Sequence, residues 1–167
     1  MMIMPKINRN LGRLYIVPFL LTGIDQASKF LMLELIFTQP RIINVTPFLN
    51  FTPVWNKGIS FGLLGNAGPA VPVLLTIVAL SISALLPFIS RQWDRSSKLG
   101  AQLMAGGALG NAIDRIIHGK VVDFIDFFAG QWHWPAFNVA DGLIFIGAVF
   151  ILWGSIKDSR SQSKSKN

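Results

Sequence analysis

Four stretches of this chain approach the roughly 20 apolar residues that cross a hydrocarbon core. They are 14–35, 70–89, 99–117 and 138–156. No other feature limits the fold as much. Lipid offers no water to an open backbone, so each span must close its own hydrogen bonds as a helix. The second run is the plainest, bounded by Pro69 and Arg91. The third is weak in hydropathy but rich in Gly and Ala, which let helix backbones approach closely. The fourth is strongly apolar after a polar start. Composition agrees: 51% of residues are hydrophobic and 14% charged, against about 25% charged in a soluble domain. The expected fold is an all-α membrane protein with four transmembrane helices, forming one domain over 1–156. The polar, low-complexity residues 157–167 are expected to be a disordered basic tail.

A formal charge of +7 invites a nucleic-acid reading, but the placement of the basic residues argues otherwise. Lys6, Arg9 and Arg13 precede the first run. Arg91, Arg95 and Lys98 separate the second from the third, and Lys157, Arg160, Lys164 and Lys166 follow the fourth. Only Arg41, Lys57 and Lys120 fall in the opposite loops. Basic residues in short flanks mark the cytoplasmic side, so both termini are predicted to be cytoplasmic. The basic start resembles a signal peptide, but Asp25 and Lys29 follow its apolar stretch with no small-residue cleavage site. It is read as a retained first span.

The two loops on the far side differ. In the first, about 36–68, RIINV and LNFTPV are short, β-rich and interrupted by Pro47 and Pro53, which predicts a small sheet. Asn56-Lys57-Gly58 reads as a turn. The second, 118–137, carries Phe124, Phe127, Phe128, Trp132, Trp134 and Phe137, residues that favour the membrane–water boundary.

Ionisable groups at membrane depth are costly and usually face a partner or a site. Asp25 and Lys29, four apart, share a helix face and form an ion pair. Ser28 and Lys29 point different ways, which disfavours a Ser/Lys nucleophile. Gly107, Asn111 and Asp114 make one stripe of the third helix. Arg115 beside it is either a neutralising partner or a clamp for carboxylates and carbonyls. Asn138 and Asp141 fit an N-cap and N3 pair. Asp123 and Asp126 lie in the second loop, and spacing does not choose between them. Two close carboxylates cannot easily both ionise, so one keeps a proton. Such a pair suits peptide hydrolysis: one member draws a proton from water while the other polarises the carbonyl. There is no cysteine, and the only histidines, His118 and His133, form no H-E-x-x-H, so zinc chemistry is unsupported.

The blocks DQASK (25–29), NKGISF (56–61), GGALGNAIDR (106–115), GKVVDF (119–124) and FNVADGLI (137–144) resemble, in order, those of the lipoprotein signal peptidases, or signal peptidase II. These are aspartic proteases of the bacterial inner membrane. The resemblance covers nearly the whole chain, with Gly142 at a position where the family varies. It implies that Asp123 and Asp141 are the catalytic pair. Asp25, Lys29, Asn56, Gly58, Gly107, Asn111, Asp114, Arg115, Asn138 and Ala140 match positions that shape or stabilise the site. It further implies four transmembrane helices with a small periplasmic β-cradle, no cofactor and no metal. The implied substrates are diacylglyceryl-modified prolipoproteins, cut just before the lipidated cysteine. The expected partners are those substrates and membrane lipids, without nucleic acid, and the expected state is a monomer. The rival class is a small proton-coupled transporter or channel subunit, which embedded Asp, Lys and Arg would also serve. A non-catalytic assembly factor is a third.

Overall fold

The computed structural model describes residues 10–39, 41–58, 68 and 70–164. The end of the NKGISF block (59–61), Lys6, Arg9 and residues 165–167 lie outside them. Four helices form: α1 (Asn10–Phe30), α2 (Ala70–Ile89), α3 (Arg95–His118) and α4 (Val139–Lys164). A π-helical turn, Leu31–Ile36, continues α1. The protein is mostly helical, and three of its helical stretches are long and apolar enough to cross a membrane: Gly12–Glu34, Ala70–Gln92 and Val139–Asp158. The third, α3, is 24 residues long but does not share that apolarity. It is the hub that touches the other three helices. A helix surrounded by helices presents little surface to lipid, so its sequence can be small and polar where its neighbours must be greasy. The fourth helix continues past the expected span end at Ile156 to Lys164, so the first part of the expected tail is helical.

Small residues set the close crossings of α3. Against α4, a Cβ at Gly100 would strike the Gly147 carbonyl, and one at Gly107 the Ala140 carbonyl. Against α1, Gly106 abuts Pro18 and Leu21, and Gly110 abuts the Asp25 carboxylate. Against α2, the contact is Ala79 with Ala108 and Ala112. Hydroxyls reinforce these seams: Thr22 Oγ1 donates to the Gly106 carbonyl at 2.9 Å and Ser83 Oγ to that of Ala105 at 3.0 Å.

The predicted small sheet forms, but from both loops. Strands β1 (Ile43–Thr46), β2 (Leu49–Asn56), β3 (Val121–Ala129) and β4 (Trp132–His133) make an antiparallel sheet in the order β1-β2-β3-β4. The turn at Pro47-Phe48 closes the first hairpin. Pro53 falls where the β2–β3 register shifts between Phe51 and Val54, a bulge that tolerates a missing N–H. Residues 121–129, expected as part of an interfacial loop, are strand β3, whose Val121, Val122 and Phe124 are buried. Phe124 packs with Met32 and Phe37, which fixes the sheet to the end of α1. The sheet therefore sits where α1 and α3 end and α4 begins.

Candidate active site

The capping pattern at the start of α4 forms as read. Asn138 Oδ1 accepts the Asp141 backbone N–H at 3.0 Å, and Asp141 Oδ2 accepts the Asn138 N–H at 3.3 Å. A capping box needs only these bonds. Asn138 does more, because its fully buried side chain also donates through Nδ2 to Asp123 Oδ1 at 2.7 Å. One residue thus holds both aspartates, one from a strand and one from a helix.

Each carboxylate is then held from its other side by a neutral amide. Asn56 Nδ2, at the end of β2, donates to Asp123 Oδ2 at 3.0 Å. Asn111 Nδ2, from α3, donates to Asp141 Oδ1 at 2.8 Å. No ammonium or guanidinium lies within ion-pair distance of either carboxylate among the described residues. Burial, together with the negative charge of Asp141, pushes the Asp123 carboxyl up to about 7, while the Asn56 and Asn138 amides hold it down. The site thus keeps a proton near neutral pH that an exposed aspartate would have lost.

Behind Asp141 lies a second set of charged groups, in which one lysine serves two carboxylates. Lys29 Nζ, buried, meets Asp25 at 2.8 Å and Asp114 at 3.0 Å, and donates to Asn111 Oδ1 at 3.0 Å. Asn111 therefore passes from a cation on one side to the Asp141 carboxylate on the other. Asp25 Oδ1 accepts the Ala140 N–H at 2.8 Å. The Ala140 peptide is held between that carboxylate and Gly107, where no side chain fits. Asp114 Oδ2 accepts the Val122 N–H at 3.3 Å, anchoring the residue before Asp123. Arg115 acts as a carbonyl clamp: Nη2 donates to Gly58 O at 3.0 Å and Nη1 to Asn111 O at 3.3 Å. The Gly58 N–H in turn donates to Asn56 Oδ1 at 2.9 Å, so the Asn56–Gly58 turn aims Asn56 at Asp123.

All twelve site residues read from the sequence fall in this one assembly. Asp126 does not. Three residues on along β3, it faces the opposite side of the sheet, where it accepts from Asn50 Nδ2 at 3.3 Å and lies 2.9 Å from His133 Nδ1. Two contributors had no role assigned. Gln26 Nε2 donates to Asp114 Oδ1 at 2.9 Å and to the Gly110 carbonyl at 3.1 Å. Gly110 leaves room for the Asp25 carboxylate. A polar Gln beside Asp25 within an apolar run was the available signal for the first. The Gly106–Gly110 spacing was the signal for the second.

The family described as Signal peptidase (SPase) II matches residues 17–157. A lipoprotein signal peptidase of Shewanella oneidensis is 46% identical over 153 residues, covering 90% of this chain and 89% of its own length. That of Alteromonas mediterranea is 39% identical, covering 84% of this chain and 79% of its own. Two solved structures, each described as a bacterial membrane enzyme obtained by the in meso method, share the fold. One superposes with a TM-score of 0.76 at 28% identity, covering 89% of this chain and 90% of its own. The other has a TM-score of 0.68 at 29% identity, covering 89% and 95%. Matched along nearly its full length in both sequence and fold, this chain belongs to the signal peptidase II family.

Proposed function

We propose that this protein removes signal peptides from diacylglyceryl-modified prolipoproteins, cutting before the lipidated cysteine, and that it does so as an aspartic endopeptidase. The observation that carries the reading is the pair of carboxylates, buried Asp123 and half-buried Asp141, joined through Asn138 with no cation in ion-pair contact with either among the described residues. Asp141 is the ionised member. It lies in the first turn of α4, where the helix dipole favours negative charge, and it accepts from an Asn111 amide polarised by Lys29. Asp123 holds the shared proton.

In the first step Asp141 takes a proton from water as the oxygen attacks the scissile carbonyl carbon. Asp123 gives its proton to the carbonyl oxygen, leaving a gem-diol. In the second, Asp141 returns its proton to the amide nitrogen and the C–N bond breaks. One diol hydroxyl then hands its proton back to Asp123. Both carboxylates end as they began, no covalent intermediate forms, and no cofactor is required. Asp25, Lys29, Asn56, Gly58, Gly107, Asn111, Asp114, Arg115, Asn138 and Ala140 hold the pair in register.

In this reading α3 is the fourth transmembrane helix, shielded from lipid by its neighbours, and residues 1–156 form one domain. The chain is a monomer of the bacterial inner membrane. Both termini lie in the cytoplasm, because Arg13, Arg91, Arg95, Lys98 and Lys157 flank the ends of the bundle away from the sheet, against Arg41, Lys57 and Lys120 on the sheet side. The dyad then lies at the periplasmic interface, the depth at which a lipid-anchored peptide presents its scissile bond. A transporter would need a polar path through the bilayer, whereas here the buried charged side chains gather at the sheet end of the bundle and α2 carries none.

The test is the purified protein in proteoliposomes with one precursor supplied with and without its diacylglyceryl group. Cleavage of the lipidated form alone is expected. Absence of cleavage, or a pH-driven solute flux instead, would overturn the reading.

A further inference from the structure

A cavity of about 480 Å³ opens between the first turns of α2 and the last turn of α3. Its volume falls within the roughly 300–1,000 Å³ of ordinary ligand sites. Two cations, Lys57 and Arg115, stand in its wall, and no Asp or Glu does among the described residues. Neither forms an ion pair among the described residues. Arg115 gives both Nη groups to carbonyls, and its Nε is the one buried side-chain polar atom without a partner among the described residues. A buried donor left unmatched is costly, so a cavity bordered by one favours an acceptor.

The rest of the wall suits lipid. Val73, Ile77 and Ile116 line the cavity and are each more than half exposed, and the first two belong to an apolar membrane helix. The cavity therefore joins a positive end, where the sheet meets the bundle, to an apolar flank that looks into the bilayer. The ligand that matches both is an amphiphile with an anionic head. A free anion matches only the first. A neutral glyceride, such as the diacylglyceryl group of the substrate, leaves both cations unmatched.

We propose that this cavity binds the phosphodiester headgroup of an anionic phospholipid from the leaflet on the sheet side, held by Lys57 and Arg115, and that the bound lipid steadies the turn beside the dyad. The site stands on the cavity alone, whereas its effect on activity rests on the peptidase reading above. Lys57 is the middle residue of the Asn56–Gly58 turn. Asn56 donates to Asp123, and the Gly58 carbonyl accepts from Arg115. A phosphate shared by Lys57 and Arg115 ties that turn to α3 by a second route. Asn56 is then already ordered when it holds Asp123, which lowers the entropic cost of the working geometry.

The experiment uses the full-length protein, with phosphatidylglycerol as the anionic probe and phosphatidylcholine as the neutral one. Native mass spectrometry from detergent is expected to show wild-type adducts with phosphatidylglycerol in preference to phosphatidylcholine. Lys57→Gln should weaken the phosphatidylglycerol adduct by about fivefold, the effect of one basic residue at an anionic lipid surface. Lys120→Gln, on the same side of the membrane but outside the cavity wall and over Trp55, should leave it unchanged. In phosphatidylcholine vesicles, added phosphatidylglycerol is expected to raise kcat/KM for the lipidated precursor by about fivefold in wild type and Lys120→Gln, and by less than about twofold in Lys57→Gln. Without phosphatidylglycerol, Lys57→Gln should match wild type.

Equal binding of the two lipids would overturn the site. Equal losses in Lys57→Gln and Lys120→Gln would also overturn it, by reducing the effect to general surface charge. Inorganic phosphate that stimulates cleavage in phosphatidylcholine vesicles as fully as the lipid would overturn the lipid in favour of a free anion. Lys57-dependent adducts without any effect on cleavage would overturn the link to the turn. Absence of cleavage in every vesicle would remove the peptidase reading, and the adducts would still decide the site.

Discussion

Two pairs of aspartates share this site, and they live by different rules. Asp25 and Asp114 are buried between α1 and α3 with Lys29 bonded to both. Asp123, buried, and Asp141, half-buried, lie on the other side of Asn111 and Asn138, and among the described residues their hydrogen-bond donors are amides and a backbone N–H. A buried carboxylate in contact with a cation has a partner that offsets part of its burial cost, and the contact holds structure together. Two neighbouring carboxylates without one compete for a proton, which is the condition for acid–base work at neutral pH. Residue type is the same in both pairs, and the position of a single lysine separates scaffold from chemistry. Asn111 joins them, accepting from Lys29 on one side and donating to Asp141 on the other.

The largest expected effect tests the pair without a cation. Asp123→Asn or Asp141→Asn, made singly, keeps side-chain shape and one accepting oxygen but removes the group that gives or takes the proton. Processing of a lipidated precursor is expected to fall by about 1,000-fold, within the range for lost acid–base catalysis, while the protein still purifies in folded form. Near-wild-type processing by either variant would break the comparison at its functional half.

The scaffold pair should respond the other way. Lys29→Met leaves two buried carboxylates facing each other, and breaking a buried ion network by removing one member costs about 3–5 kcal/mol. The variant is expected to lose thermal stability, with activity falling because the fold does. Adding Asp25→Asn and Asp114→Asn removes the stranded charges and is expected to recover most of the lost Tm. Neutralising the dyad would never need such compensation. A Lys29→Met protein as stable as wild type would show that Lys29 is not the distinguishing element.

The acid that burial raises gives a third test. Asp123 titrates near 7 when folded and near 3.8 when unfolded. Between those values the folded protein binds more protons than the unfolded chain, so stability falls as pH rises through that window. Wild-type Tm is expected to drop from pH 5 to pH 8, and that of Asp123→Asn to drop less and lie above wild type at pH 8. Catalysis has the same origin: the singly protonated pair is lost above about pH 7, so kcat/KM should decline on the alkaline side. Equal Tm profiles for the two proteins would mean that Asp123 is not strained in its charged form.

The contrast between the pairs was partly visible in the residues alone. Asp25 and Lys29 are four apart on an apolar run, and that spacing puts both on one helix face within reach of an ion pair, which the structure forms. Asn138 and Asp141 spelled a capping box for an equally local reason. Asp114 was seen on its stripe, but its bond to Lys29 crosses between helices, and no local period reports which helices touch. The clearest gap was β3. The run VVDFIDFFA carries too many aromatics to alternate cleanly between apolar and polar, so it read as an interfacial loop. Its strand character comes from pairing with β2, more than 60 residues earlier. Without a strand there was no period of two, and without that period Asp123 and Asp126 looked equivalent. The third helix was hard to read for a related reason, since a helix enclosed by other helices can give up the apolarity by which spans are recognised.

Asp126 supplies the smallest effect and the finest discrimination. It stands three residues from Asp123 in the same strand, is buried to a similar degree, and carries the same functional group. It differs in facing the other side of the sheet and in having His133 and Asn50 as partners. If sequence neighbourhood made the site, Asp126→Asn would damage catalysis. If geometry makes it, the substitution alters only the Asn50 and half-exposed His133 contacts on the far face of the sheet and leaves the dyad's own hydrogen bonds in place. The expected result is kcat within about twofold of wild type, no change in the alkaline limb of the pH profile, and a Tm lowered by a few degrees at most. A loss approaching that of Asp123→Asn would mean the two faces of β3 are not independent, and the separation between working and supporting carboxylates would have to be redrawn along the strand.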